Sequence, residues 1–305
     1  MQRYIIRRLL HSILVLFGVT LVTFMLVRLT GDPAAAMLGP EATPQDIAEL
    51  RTSMGLDDPI FVQYGRYLEQ LAHGDFGTSF LYGQPALGLV LERLPATFEL
   101  TIAALFINLA VSFPLGIISA VKRDSIIDRL SAVFVFSSQA MPVFWSGILG
   151  IMVFAIMLGW LPASGRGGIT YLLMPGIVLG VHSAAYQTRL LRSSMLDVLG
   201  QDFVRTARAK GIKEFWVIVR HGFRNALIPV VTATGVQFAA LMGGAVITET
   251  VFDWPGVGRL AVQAINNRDI PLVMATTFVF AVIILTVNLL VDLSYGVIDP
   301  RVRLD

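Results

Sequence analysis

Few residues in this chain have the types and spacing that bond-making chemistry needs. The four histidines, His11, His73, His182 and His221, are scattered, and there is no cysteine. Disulfides, thiolate metal sites and cysteine nucleophiles are therefore excluded. No lysine follows a glycine, so the end of a GxxxxGK phosphate loop is missing, and no HExxH occurs. No catalytic residue, metal ligand or cofactor site is expected. Two kinds of polar residue remain. One is the basic stretch from Gly200 to Pro229, with Arg205, Arg208, Lys210, Lys213, Arg220 and Arg224. The other is a set isolated in apolar runs: Asn108, Gln139, Gln187, Gln237, Asn288 and Asp292. Such groups are costly in lipid, so they either line a path for a polar solute or bond one helix to another. For Asp292, near the end of its run, an ion pair with a basic residue such as Arg189 is expected.

The elements that must hold these residues are membrane spans. The chain has 305 residues, 55% hydrophobic and 14% charged, with a mean hydropathy of +0.71. A soluble domain carries about 25% charged residues. A span needs roughly 20 apolar residues; several stretches are that long, and six spans are expected, at 9–27, 96–121, 130–158, 172–187, 227–247 and 272–291. The first is too long for a signal-peptide core and is expected to be retained. Pro142 is expected to kink the third span, and Glu99 to sit favourably at the start of the second. Residues 30–95 are polar, with turn signals at Gly31-Asp32-Pro33, Asp57-Asp58-Pro59 and Gly74-Asp75-Phe76-Gly77. That is too long for a simple connection and predicts a small external subdomain of short helices.

Most of the 23 lysines and arginines fall on one side of this layout, at Arg3, Arg7, Arg8, Lys122, Arg123, Arg129, Arg189, Arg192, the basic stretch, Arg301 and Arg303. The positive-inside rule makes that side cytoplasmic, with both termini on it. The expected division is 1–29 for the N-terminus and first span, 30–95 for the external subdomain, 96–295 for the core with a cytoplasmic loop at 189–226, and 296–305 for a cytoplasmic tail. The net charge of +2 is loop bias and gives no reason to expect nucleic acid. Within the basic stretch, Asp202 is a plausible N-cap and Gly211 a plausible C′ stop for a short helix. Thr206, Ala207 and Ala209 are small enough for close approach by another protein, and Phe203 and Ala207, four apart, share a face. From these residues alone an ion-gradient-driven carrier and an intramembrane enzyme remain open. The first needs paired intramembrane acids or interrupted helices; the second needs a nucleophile beside a base.

Arg205-Thr206-Ala207-Arg208-Ala209-Lys210-Gly211, with Arg220-His221 and Arg224-Asn225-Ala226-Leu227-Ile228-Pro229, closely resembles the EAA loop of bacterial ABC-importer permeases of the dipeptide, oligopeptide, glutathione and nickel family. The general pattern is Glu-Ala-Ala, three residues, then Gly; here Arg205-Thr206-Ala207 takes the first three places. Leu94–Thr101, Met54–Pro59, Gly74–Ser79, Gly243–Arg259 and Asp299–Arg303 are similar to the same family. The resemblance implies the all-α type I importer permease fold and a place in the bacterial inner membrane. It implies a second homologous permease forming a heterodimer, two cytoplasmic ABC ATPases that hold the ATP and magnesium, and an extracytoplasmic solute-binding protein. The helix from Asp202 to Lys210, followed by Gly211, would be the coupling helix. Phe252, Asp253, Trp254 and Pro255 would belong to an external loop that dips towards the path or meets the delivery protein.

Overall fold

The computed structural model describes residues 2–30, 32–38 and 42–298. The motif from Asp299 to Arg303, with Arg301, lies outside them, as does Gly31 of the first turn signal. The described residues are helical, with a single isolated bridge between Thr78 and Pro85. Five helices are long and apolar enough to cross a membrane, or six if one sharply bent pair is a single span. The chain divides into two compact units.

The first unit holds residues 1–96 and 255–286. It contains α1 (Gln2–Thr30), α2 (Pro33–Leu38), α3 (Pro44–Ser53), α4 (Ile60–Ala72) and the first turns of α5 (Ala86–Val121). Local chemistry explains where α3 starts. Pro44 presets the first turn, and the Thr43 hydroxyl accepts from the Asp46 N–H while the Asp46 carboxylate accepts from Thr43 N–H. On α4, Tyr64 and Tyr67 fall on one face, three apart, and bury against α1. Tyr67 stacks on Phe24 at 5.9 Å between ring centres, and the Tyr64 hydroxyl meets that of Thr20 at 3.0 Å. The rings fix α4 to α1 through a large apolar area with one polar handle.

In the same unit, two further helices belong to the segment expected only as polar connection and sixth span: α12 (Val257–Asn266) and the opening of α13 (Ile270–Ile298). Leu89, Val90, Leu260, Leu272 and Ala275 form their common core with Phe76. Asp269, fully buried, accepts hydrogen bonds from the Ser79 hydroxyl and the Leu81 N–H, which holds the 77–85 loop against the start of α13.

Arg51 bridges Asp32 at 2.6 Å and Asp57 at 2.9 Å. Burial alone would raise the Asp32 carboxyl, but the bonds from Arg51 and from the Ala34 N–H outweigh it and hold it below the usual carboxylate range. A depressed carboxylate lends stability that is present above its unfolded value, about 3.9, and is lost as pH falls through the lower folded value. Amide exchange in residues 44–53, corrected for the intrinsic rate, is expected to lose protection as pH falls below about 4. In Arg51→Gln that component should already be absent at neutral pH. Equal pH profiles in the two proteins would contradict the account.

The second unit holds residues 97–254 and 287–298. Its centre is α8 (Ile169–Leu199), which packs against α11 (Arg224–Val251), α6 (Ile126–Ala140) and α7 (Val143–Gly150). Between α8 and α11 come α9 (Asp202–Ala209), α10 (Glu214–Trp216) and a π-helical turn, Val217–Phe223, so that 214–251 is one continuous helix. Gly180 lets α5 lie directly on α8: a Cβ there would sit 2.6 Å from the Ala104 carbonyl oxygen. Small residues allow such contacts between membrane helices.

Several expectations about these elements need correction. The second span begins at Ala86, ten residues before its expected start, because Ala86, Leu89 and Val90 have core partners that a local reading of Pro95 does not reveal. Glu99 is consequently well inside the helix, and its charge is met by Arg166 at 2.6 Å. The third span is broken, not kinked. Met141 is extended, as the residue before Pro142 prefers, and α6 and α7 diverge by 100°. After α7 the helix continues as a π-helix, Ile151–Met157. The helix of the fourth span does not stop at Gln187 but runs on through Arg189 and Arg192 to Leu199.

Candidate coupling helix and path residues

α8 ends at Gly200 and Gln201, and α9 follows at once. Its N-cap is Gln201, with extended backbone and no side-chain cap. Asp202 is thus the first helical residue and not the cap. Its carboxylate still suits the positive helix end, and it lies 3.4 Å from Arg205 one turn on. The Thr206 hydroxyl bonds back to the Asp202 carbonyl. At the far end Lys210 is the C-cap and Gly211 has φ +73°. Only glycine takes that left-handed conformation without a steric cost, which is why the helix stops there.

The two faces of α9 differ. Val204, fully buried, and Ala207, 5% exposed, pack on Val217, Val198 and Leu199. Arg208 crosses the Gly211 turn to bond Glu214 at 2.8 Å, and the paired carboxylate raises the guanidinium further above its usual value. The inner face of α9 is therefore fastened to the end of α8 and to the start of the 214–251 helix. The outer face carries Phe203, Arg205, Thr206, Ala209 and Lys210. This corrects the expectation for Ala207. It is four residues from Phe203, yet Phe203 is 42% exposed while Ala207 is covered by Val217. Thr206 and Ala209 are the small residues left facing outward. Beyond the turn, the exposed rings of Phe215 and Trp216 lie 5.4 Å apart. Two adjacent aromatics in a polar stretch were the available sequence signal for them.

Two of the isolated polar residues join helices. Asn108, on α5, donates to the Ser183 hydroxyl of α8 at 2.8 Å and accepts from Ser112. Gln187, on α8, donates to the Thr234 hydroxyl at 2.7 Å and to the Val230 carbonyl of α11. Both side chains are buried. Gln139 is exposed at the end of α6, and Gln237, Asn288 and Asp292 are half-buried. The expected Arg189–Asp292 pair is not formed: among the described residues Arg189 makes no ion pair. Arg192, one turn further along α8, instead holds Asp128 with two bonds of 2.8 and 2.7 Å.

The expected external loop is largely buried. Phe252 and Trp254 are 2% and 0% exposed, Asp253 is exposed in the left-handed region at φ +51°, and Pro255 is half-buried. The Phe252 carbonyl accepts from Gly165 N–H, and its ring lies against Gly147. Arg166 lies 5.9 Å above the Trp254 ring while it pairs with Glu99. In this structure, then, Phe252 and Trp254 present no surface to a delivery protein. Sequence reading also missed Glu249: it is fully buried in α11 and accepts a 2.6 Å bond from Thr97. It lies two residues beyond the expected end of the fifth span at 247, because α11 runs on to Val251.

Comparison with known proteins agrees with this architecture. Residues 112–304 match the family described as binding-protein-dependent transport system inner membrane component, and residues 1–101 match the N-terminal part of such components. The chain is 42% identical to the dipeptide transport system permease protein DppB of Alkalihalophilus pseudofirmus, across 99% of this chain and 100% of that one. It is 41% identical to the glutathione transport system permease protein GsiC of Escherichia coli K12, across 99% of each. Among solved structures, an inward-facing methionine ABC transporter superposes with a TM-score of 0.57 at 17% identity, covering 69% of this chain and 96% of that one. That likeness concerns the fold alone. With its two parts matched and relatives at this identity along 99% of its length, the chain belongs to the family of binding-protein-dependent transport system inner membrane components and is a multi-pass permease subunit.

Proposed function

We propose that this chain forms half of the path through an ATP-driven ABC importer for dipeptides, oligopeptides or a related small solute. In this reading its partners are a second, homologous permease, two ABC ATPases and an extracytoplasmic solute-binding protein. The chain is not itself catalytic and carries no cofactor; ATP and magnesium belong to the ATPases. Residues 30–95 face outward, while both termini and the 189–226 region are cytoplasmic, following the basic residues. The names of the relatives, dipeptide and glutathione permeases, support the substrate class.

One observation carries the mechanism: α9 has a free outer face and an inner face fixed to two long helices. A partner that grips Phe203, Thr206 and Ala209 moves Val204 and Ala207 with them. Through Val217 and the Arg208–Glu214 bond, that motion reaches the 214–251 helix. ATP binding that closes the two ATPases would thus alternate access to the path. The free energy comes from the partners, and this chain is the lever.

Affinity purification of the chain from native membranes in mild detergent, with mass spectrometry, tests this. A second permease and ATPases are expected with it. Phe203→Asp should leave the chain's own melting unchanged and weaken ATPase recovery by roughly 30-fold, the loss of about 2 kcal/mol typical of an aromatic anchor. Ala207→Glu should lower the melting temperature as well, because it places a charge between Val204 and Val217. A chain recovered alone that moves solute in vesicles without ATP would make an ion-driven carrier the better account.

A further inference from the structure

The first unit holds a half-open cavity of about 540 Å³ that the coupling mechanism does not use. Pockets for small ligands run from about 300 to 1,000 Å³. Its apolar walls include Phe24, Phe76 and Phe80, and its polar lining includes Arg28 and Tyr67.

The two polar groups are unusual in what they lack. Tyr67 is 6% exposed, yet among the described residues no hydrogen bond reaches its hydroxyl. Its ring is buried, while the hydroxyl stays accessible from the cavity. Burial, with Tyr64 beside it, pushes the phenol up to about 12, so it stays neutral and can donate. Arg28, at the end of α1, has its guanidinium 5.1 Å from the Phe24 ring. Among the described residues it makes no ion pair. Asp32, four residues on, is held by Arg51, and Asp58 is held by Arg66. Of the other charged groups in the lining, Arg66 is the one held by Asp58, and the Asp75 carboxylate accepts from the Gly77 N–H, which leaves Arg28 and the Tyr67 hydroxyl beside three aromatic rings.

We propose that this cavity is a ligand site for a carboxylate carried on an apolar body, with Arg28 and the Tyr67 hydroxyl on the carboxylate and the phenylalanines around the body. An arginine fork with a tyrosine donor matches the planar, two-oxygen geometry of a carboxylate. A short apolar peptide and a fatty acid share this chemistry. The site stands apart from the coupling reading, since it uses residues of the first unit only.

The test is calorimetric titration of the full chain in nanodiscs of zwitterionic lipid, with Leu-Leu, Leu-Leu amide and decanoate as probes. Leu-Leu or decanoate is expected to bind, and whichever does identifies the source. Affinity should fall about 10-fold in Arg28→Gln and about 3- to 10-fold in Tyr67→Phe, as for a charge-assisted and a neutral hydrogen bond. The amide should bind at least 10-fold more weakly than Leu-Leu if the peptide is the source. Tyr67→Phe keeps the ring that packs on Phe24, so its fold serves as the control for Arg28→Gln. The proposal is overturned if neither carboxylate binds or if both variants bind as wild type does.

Discussion

Asp128→Ala is expected to cost the second unit about 3 kcal/mol, near the lower end of the range for breaking a buried ion pair. The carboxylate side chain is 10% exposed and accepts both bonds of the Arg192 fork, plus one from the Asp124 N–H. It ties the first turn of α6 to α8. Removing it leaves a guanidinium that is 34% exposed, so water recovers part of the loss, and the figure stays at the low end. Arg192→Lys should lose the second bond and part of the stability. The decisive measurement is the double variant Asp128→Ala/Arg192→Ala. Its fall in thermal stability in detergent should be clearly smaller than the sum of the two single variants, because the second removal takes away an already stranded charge. Additive losses would mean that the two groups do not hold each other.

Gly180→Leu is expected to abolish the folded second unit. Even a single added carbon meets the Ala104 carbonyl oxygen at 2.6 Å and the Ile107 Cβ at 2.9 Å. The first is backbone of a neighbouring helix and cannot rotate aside. Gly180→Ala alone should cost about 1–3 kcal/mol, the usual range for overpacking, and leucine more. The contact is reinforced nearby by the Asn108–Ser183 bond, so α5 cannot slide outward without stranding a buried amide. Gly243→Ala is the control, since nothing lies within 4 Å of the carbon it adds; it should stay within about 0.5 kcal/mol of wild type. Size-exclusion profiles of tagged variants should show little monodisperse chain for Gly180→Leu and normal recovery for Gly243→Ala. Normal recovery of both would show that α5 and α8 can separate at that point.

The class of this protein is legible in its residues alone. A run of apolar residues is local, and so is a bias of arginine and lysine; the lipid environment turns both into spans and a topology without help from long-range packing. Gly211 was legible for the same reason, because a left-handed stop is a property of one residue. The basic stretch carried the family resemblance, since its motif is a run of consecutive residues. Which side of a helix does what emerges from packing between distant segments. Ala207 looked like a docking residue until Val217, ten positions on, was seen to cover it. Arg192, not Arg189, found an acid, because α8 continues past its apolar end and turns that face towards α6. Trp254 was expected in an external loop but is enclosed beside Arg166, and Glu249, beyond the expected end of the fifth span, is fully buried against Thr97. In each case the deciding group is distant in sequence, and whether a polar or small residue faces water, lipid or another helix depends on the neighbour that folding brings to it.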